Sequence, residues 1–421
     1  MLLRSAFFLF VLAATAPAGT PEETLRQALA RLRATAGSLE RYACIETVER
    51  RYFQPAPGAC AARPQESGRL EAIDRLRLEV TISDGREIYS WPGATRFDSR
   101  DVSEIIREGP IGTGSFGTHL LAVIDNPRVR FEFAGEQTEG GRRMLEYRFS
   151  VPLDASRYRV RAGSLTQAIA YHGSFRLDAV TLDLDRLSFH AEDLPAASSM
   201  CRLDAELDYH PAANGGAELL LPARGDLRLS YQDARQTSNA TTFSSCREYK
   251  AESALAFDEP RPDAPTVPAA PTVQSALPLG LPVTLALTAP IDSDTAAAGD
   301  PVDAKVVQPV RSPVGTILIP AGATVHGRLT RVERHLAPEP YFLIAMSFNR
   351  FDSDGSSHRF AARSEPNPEL ARRLGVSFSG DGGGLRYWGV GVFLFPGTRN
   401  RWLIPAGFQS KWFTLAIRGR S

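Results

Sequence analysis

The sequence predicts a mainly β protein with a few helices, arranged as two β-rich parts joined by a proline-rich linker. Short runs of alternating apolar and polar residues recur from Tyr42 to about Phe257, which is the pattern of half-buried strands. Only residues 101–107 and 117–126 interrupt these runs with helical spacing. A stretch rich in proline and alanine follows at 258–276, and the alternation resumes from Leu277.

The first element is a helix that begins near Thr20. Thr20 is a good N-cap, Pro21 suits the first helical position, and Glu23 completes a capping box. One apolar stripe then recurs at helical spacing, and Gly37 is a suitable end. The residues of the stripe are Leu25, Ala28, Leu29, Leu32 and Ala36.

The strands that follow predict one large antiparallel sheet. Apolar residues alternate with polar ones from Arg75 to Ile82, a turn is expected at 83–86, and the partner strand runs from Glu87 to Trp91. Similar runs joined by short polar turns continue through the first part of the chain. They cover 129–133, 147–151, 158–161, 174–177, 186–190, 201–209, 226–231 and 246–257.

The composition excludes some classes of function. Among 421 residues, 48 basic side chains balance 48 acidic ones, whereas a protein that coats nucleic acid normally shows a basic excess. A hydrophobic fraction of 43% is sufficient for cores and too high for a disordered chain. None of the seven histidines forms an H-x-H or H-E-x-x-H pattern, so we expect neither a metal site nor a cofactor.

Residues 1–18 are typical of a secretory signal peptide. Arg4 supplies the positive start, and the apolar run from Ala6 to Ala14 is shorter than a membrane-spanning helix needs. Ala16 and Ala18 fit the cleavage pattern, and the alternative is an uncleaved membrane anchor. We therefore expect a protein of the periplasm, or one associated with the outer membrane, with no transmembrane segment after signal cleavage.

Four cysteines suit an exported protein with disulfides, namely Cys44, Cys60, Cys201 and Cys246. Proximity in sequence favours the pairs Cys44–Cys60 and Cys201–Cys246, although three connectivities exist and the sequence does not choose among them. A four-cysteine zinc site is the alternative, but the C-x-x-C spacing typical of such sites is absent.

The run from Gly112 to Gly117 matches G-x-G-x-x-G. A dinucleotide site also needs a parallel sheet, so we interpret the run as a flexible loop that enters the next helix and can act as a hinge. Ser115 and His119 lie four positions apart, but the G-x-S-x-G elbow of many serine hydrolases is missing. A secreted hydrolase is thus a distant third hypothesis, and we do not expect an enzyme.

Residues 20–257 resemble the lipoprotein carriers of the LolA, LolB and RseB type. The likeness lies in one helix before a long antiparallel sheet with inserted helices, and in the segments Gly173–Asp178 and Leu182–Leu187. It implies a curved half-barrel with helices over its concave side and an apolar cavity for acyl chains or a peptide. By the same resemblance, the 117–126 helix covers the cavity. The candidate ligand contacts are Phe116, Leu120, Leu121 and Ile124.

Residues 277–360 resemble the β-barrel domain of TrbI-like proteins of conjugation and type IV secretion. The likeness is carried by the segments Leu277–Val283, Ile291–Ser293, Gly299–Val302, Leu318–Ala323 and Gly327–Arg328. It implies a C-terminal β-barrel or sandwich domain with a tendency to interact within the envelope. We carry over the fold and not the pore.

Together these observations predict four segments: a signal peptide at 1–18, a half-barrel at 19–257, a linker at 258–276 and a β domain at 277–421. The leading hypothesis is an envelope protein that binds a lipid, an acyl chain or a peptide in the half-barrel. Its C-terminal domain would dock to an envelope protein partner. The alternative is a structural component whose concave face is filled by its own side chains. We also expect the two domains to move independently, because a proline-rich spacer makes few contacts.

Overall fold

The computed structural model describes residues 20–61, 68–94, 97, 101–106, 109–162, 165–209, 213–214, 217–218, 220–248, 277–364, 391–399 and 401–415. The expected signal peptide at 1–18 and the expected linker at 258–276 lie outside these residues. The four-segment division therefore stays a prediction.

The described residues form a mainly β structure with few helices, which confirms the predicted fold class. The helices are α1 (Pro21–Gly37), α2 (Val102–Ile105) and α3 (Thr118–Ile124). The strands of the first part are β1 (Tyr42–Phe53), β2 (Leu70–Ser83), β3 (Arg86–Ser90), β4 (Arg130–Glu139), β5 (Arg142–Val151), β6 (Arg159–Ala162), β7 (Leu165–Ala168), β8 (Tyr171–Asp178), β9 (Leu184–Ala191), β10 (Met200–Tyr209), β11 (Ala213–Asn214), β12 (Ala217–Glu218), β13 (Pro222–Tyr231) and β14 (Gln236–Glu248). Among the described helices, none has both the length and the apolar character needed to cross a membrane.

The described residues of the second part form twelve further strands. They are β15 (Pro282–Leu287), β16 (Ile291–Asp292), β17 (Pro301–Val306), β18 (Val310–Arg311), β19 (Ile317–Ile319), β20 (Thr324–His335), β21 (Tyr341–Ser353), β22 (Ser356–Arg359), β23 (Ala362–Ser364), β24 (Gly391–Pro396), β25 (Leu403–Ile404) and β26 (Gln409–Thr414).

Helix α1 begins where the sequence predicts. The Thr20 hydroxyl accepts a hydrogen bond from the Glu23 amide at 3.3 Å, and proline occupies the first turn. The predicted apolar stripe faces the protein, since Ala28, Leu29, Leu32 and Ala36 are buried.

Ten antiparallel strands form the first sheet, in the order β3–β2–β1–β14–β13–β10–β9–β8–β5–β4. Helices α1 and α3 pack on one of its faces, and together they enclose the first apolar core. The Tyr147 hydroxyl of β5 donates to the Pro21 carbonyl at 2.9 Å, which fixes the start of α1 over the sheet. This is the sheet with cover helices that the resemblance implied.

The second part is an antiparallel sheet that curls around its own core. Its strand order is β24–β21–β20–β17–β15–β26–β23, and β22 extends β21 as a hairpin. Gly391 of β24 lies against Trp412 and Ser364, so the two end strands come together. Trp412 is fully buried in the enclosed core.

Strand β2 joins the two parts into one sheet. Its residues Ala72–Asp74 pair antiparallel with Glu333–His335 of β20. The Arg77 amide donates to the Ala298 carbonyl at 2.7 Å, and the Ala298 amide donates to the Arg75 carbonyl at 2.8 Å. The expected independence of the two domains is therefore wrong, because main-chain hydrogen bonds continue from one part into the other.

The cysteines pair differently from the sequence-based expectation. Cys44 of β1 is bonded to Cys246 of β14, and Cys60 is bonded to Cys201 of β10. All four predicted cysteines form disulfides, but the pairing by sequence proximity is wrong. The physical reason is the strand order, since β14 returns to pair with β1 across a separation of 202 residues.

Candidate functional site

Helix α3 closes the concave face of the first sheet. Leu120 and Ile124 are each 2% exposed, and Val123 is buried beside them. Leu121 is half-buried and packs against the same core. Three of the residues predicted to contact a ligand therefore lie together between helix and sheet, and their binding role stays a prediction.

Phe116, the fourth predicted residue, lies in a different environment. It is fully buried in a second apolar cluster that also holds Leu39 and Ile82. Its ring centroid is 5.5 Å from that of Phe243. Phe116 therefore fixes the loop before α3 to this second cluster, and it is not grouped with the other three residues.

The loop before α3 requires glycine at two positions. Gly114 has φ +106° and Gly117 has φ +157°, conformations that residues with a side chain rarely adopt. A Cβ atom at Gly114 would lie 2.4 Å from the His119 ring, and one at Gly117 would lie 2.8 Å from Leu39. Because the surrounding sheet is antiparallel, the G-x-G-x-x-G run has no parallel-strand phosphate site around it.

One carboxylate holds this loop in place. Glu87, at the start of β3, accepts hydrogen bonds from the Gly114 amide at 2.5 Å and from the Gly117 amide at 3.2 Å. It also accepts from the amide and the hydroxyl of Thr118, at 3.4 and 3.2 Å. Hydrogen bonds to a charged acceptor are about twice as strong as neutral ones. Glu87 is thus the main polar anchor of the loop and of the first turn of α3.

A second acid, Glu46, lies near Glu87. Glu46 is 3% exposed, and its burial, with a smaller effect of nearby Glu87, raises its pKa well above the ordinary value. Tyr89 is also buried and donates to the Glu87 carboxylate at 2.7 Å. Burial and the charge of Glu87 raise the Tyr89 pKa as well. Glu46, Glu87 and Tyr89 therefore influence one another electrostatically, and burial favours the neutral form of Glu46.

Aromatic side chains fill the concave face beneath α1 and α3. His119 stacks on Tyr158 with ring centroids 5.0 Å apart and meets the edge of Phe189 at the same distance. The other members, at centroid distances of 5.3 to 6.3 Å, are Tyr147, Phe149, Tyr171 and Phe175. Burial lowers the His119 pKa to about 4, so this ring is neutral at pH 7. Its surroundings are those of a core aromatic residue.

A small cavity lies between the loop and the sheet. Its volume is about 10 Å³, which is close to the space that one water molecule needs. The polar residues of its lining are Ser115, His119, Asp226, Asn239 and Thr241. In the described part of the chain, the concave face is therefore packed by its own side chains around a polar gap.

Two features of the site were not predicted from the sequence. They are Glu87 and the aromatic floor, the group of aromatic side chains on the concave face that includes Tyr147, Tyr158, Tyr171 and Phe189. Glu87 occupies an ordinary strand position, and the amides it binds lie 27 to 31 positions further on, so local sequence carried no signal for it. The floor did carry a signal. Aromatic residues recur two or four positions apart on single strands, as in Tyr147 with Phe149 and Tyr171 with Phe175.

No family model matches the chain, and no curated protein matches it. Solved structures similar to it are LolA-superfamily and lipoprotein-sorting domains that cover about half of the chain. A LolA superfamily protein from Nitrosomonas europaea shares 8% identity at a TM-score of 0.27, over 53% of this chain and 93% of its own. An outer membrane lipoprotein-sorting protein domain from Vibrio parahaemolyticus shares 13% at 0.28, over 56% and 95%.

A third similar structure is LprF from Mycobacterium bovis, with 11% identity and a TM-score of 0.19 over 52% of this chain and 93% of its own. All three TM-scores are below 0.5, so these likenesses do not determine what the chain does.

Proposed function

We propose that the protein is exported to the cell envelope and binds an apolar ligand, such as a lipid, an acyl chain or an apolar peptide, between α3 and the sheet. One observation carries the proposal. An aromatic core is closed by a seven-residue helix that enters from two positive-φ glycines and is anchored by one carboxylate. Such an element can lift as a unit, because glycines absorb large backbone changes.

The free energy of opening determines which ligands suit the site. Lifting α3 exposes Leu120, Val123 and Ile124, which at about 1.5–3 kcal/mol each amounts to about 4.5–9 kcal/mol. A bound chain returns about 0.8 kcal/mol for each buried methylene, so about 6–11 methylenes offset the opening. The proposed ligand is therefore a long acyl chain or an apolar segment of similar area.

The disulfides support the proposed compartment. Both bonds join residues that are distant in sequence, and such bonds persist in oxidising environments and are rare in reducing ones. In a bacterium the periplasm provides that environment. The expected signal peptide and these bonds point to the same location.

The packing of the concave face favours a second candidate function. A cavity of about 10 Å³ holds no acyl chain, and a protein that never opens would be a structural component of the envelope. The two candidates differ in whether α3 moves under native conditions.

A chain-length series separates the two candidates. Straight-chain alcohols of about 6 to about 16 carbons are tested for displacement of the fluorescent probe N-phenyl-1-naphthylamine from the protein. Binding should become detectable at intermediate length and then tighten by about fourfold for each added methylene. If neither the probe nor any alcohol binds, the structural role is supported instead.

A matched pair of variants locates the binding site. Leu120→Asp puts a charge under the cover helix and should abolish probe binding, because an unpaired buried carboxylate opposes closure over an apolar chain. Leu165→Asp changes a leucine that is 52% exposed on β7 and should leave binding unchanged. Equal binding by both variants would place the ligand elsewhere.

We also propose that the second part of the chain docks to an envelope partner, as its resemblance to the TrbI-like β-barrel domain implies. Support comes from apolar side chains that extend from the β18–β19 hairpin, where Val314 is 88% exposed and Ile317 is 50% exposed. Crosslinking in intact cells should give one reproducible adduct that Val314→Asp removes. Val180→Asp, at a valine of the first part that is 82% exposed, is the control and should retain the adduct.

A further inference from the structure

The small cavity beside α3 is lined by a buried side-chain amide, that of Asn239, whose hydrogen-bonding capacity is only partly used. Asn239 of β14 is 3% exposed, and its Nδ2 donates to the Pro110 carbonyl at 3.2 Å. Its Oδ1 has no hydrogen-bond partner among the described residues. Because the other amide atom already serves Pro110, turning the amide over would set two acceptors against each other.

A buried acceptor without a donor is unfavourable by about 1–3 kcal/mol unless some group donates to it. The Asn239 side chain lines the cavity at the point where the glycine loop crosses the sheet. Gly112 and Gly225 line the same space and contribute no side chain to it. A Cβ atom at Gly225 would lie 2.9 Å from Leu207, so the position keeps space that larger residues would remove.

The cavity lining selects the charge of what it can hold. It includes no lysine or arginine, and its one histidine is His119, which burial keeps neutral at pH 7. Asp226 also belongs to the lining, but Gly225 and Leu227 flank it on β13, so its carboxylate lies on the other face of the strand, where it pairs with Arg224. Arg50, a buried guanidinium that also donates to the Pro110 carbonyl at 3.4 Å, is engaged by Asp74 through two hydrogen bonds of 2.6 Å. An anionic group would therefore meet the acceptor Asn239 Oδ1, with no basic side chain in the lining to pair with it.

We propose that this cavity receives the uncharged hydrogen-donating group of an amphiphile, a hydroxyl or an amide N–H, whose chain enters the aromatic core under α3. This inference rests on the proposed function and specifies its ligand class. The donating group satisfies Asn239 Oδ1, with Ser115 and Thr241 beside it in the lining. The chain then extends from the cavity past His119, which borders both the cavity and the aromatic floor.

The test compares three ligands that share one chain of twelve carbons. Dodecan-1-ol offers a donor, its methyl ether offers only an acceptor, and laurate carries a negative charge. Binding to the full chain is measured by displacement of N-phenyl-1-naphthylamine. Dodecan-1-ol should bind about three- to tenfold more tightly than the ether, the usual value of one net hydrogen bond, and laurate should bind most weakly.

A variant assigns the preference to the cavity. Asn239→Leu should remove the advantage of the alcohol over the ether. Ser188→Ala should preserve this advantage, because Ser188 lies on the face of β9 opposite to that of the core residue Phe189. If Asn239→Leu does not fold, the ranking of the three ligands on the unchanged protein still decides. Equal affinities, or tightest binding of laurate, would overturn the inference and leave the proposed function standing. Binding of none of the three would instead count against the proposed function itself.

Discussion

Removing the charge of Glu87 should loosen the cover helix without unfolding the protein. In Glu87→Gln, one carboxylate oxygen becomes an amide nitrogen. Oε2 accepts from Gly114 and Tyr89, and Oε1 accepts from Gly117 and Thr118, so either orientation of the glutamine removes the acceptor from one of these sets. At least one charge-assisted hydrogen bond is lost, which is about 1.5–3 kcal/mol.

This loss should appear as more frequent opening of the loop and α3. Because about 1.4 kcal/mol corresponds to a factor of ten, the open population should rise about ten- to hundredfold. Hydrogen exchange measured on peptides covering residues 112–124 reports this population, and the unfolding midpoint in urea should move far less. If α3 must open to admit a ligand, the apparent affinity for the fluorescent probe should also increase, since binding competes with closure.

Glu136→Gln is the control, because Glu136 is an exposed acid paired with Arg143 on the sheet edge. Its exchange pattern at 112–124 should match that of the unchanged protein. Unchanged exchange in Glu87→Gln would refute the anchoring role of the carboxylate. Faster exchange combined with unchanged probe affinity would keep the anchor and refute its connection to ligand entry.

Three further perturbations have defined outcomes. Burial raises the pKa of Glu46 above its ordinary value of 4.5. The stability that the protonated Glu46 side chain contributes is therefore complete below pH 4.5 and is lost as the pH rises through the folded-state pKa. Glu46→Gln should therefore exceed the parent in urea stability at pH 8 and match it near pH 4, and equal stabilities at both pH values would refute this. Replacing Cys44 and Cys246 by alanine opens a loop of 202 residues and should lower the unfolding free energy by up to about 5 kcal/mol in urea titrations, whereas an unchanged midpoint would contradict this expectation. Cleavage at a protease site inserted within 258–276 should leave the two fragments together in size-exclusion chromatography, because strand pairing holds them, and their separation would contradict the shared sheet.

Local patterns in the sequence predicted the local elements well. The alternation from Leu76 to Ile82 and the turn after it correspond to β2 and β3, and the cap at Thr20 is the start of α1. These signals are carried by neighbouring residues, whose periodicity follows directly from the geometry of strands and helices. The apolar residues of α3 were predictable for the same reason. The role of α3 as a cover over a cavity was an expectation from the resemblance.

Features that depend on distant pairing could not be predicted in this way. The disulfide partners follow from the strand order, in which β1 lies between β2 and β14. The junction of Ala72–Asp74 with Glu333–His335 depends on a register that neither segment specifies alone. The anchoring by Glu87 depends on where a distant loop returns to the sheet. The composition of residues 258–276 predicts a linker, and this stays a prediction. The independence inferred from it is wrong, because a linker does not exclude main-chain contacts made elsewhere.

The division of one edge of β2 between two partners has a consequence for solubility. Residues 79–83 of that edge pair with β3, while residues 72–74 pair with β20 of the second part. A chain truncated at 257 would leave the early half of β2 with unpaired amides and carbonyls, which form a template for pairing with another copy. In the full chain, the second part therefore protects this edge of β2 by pairing with it. The isolated first part should self-associate through β2 at concentrations where the full chain does not.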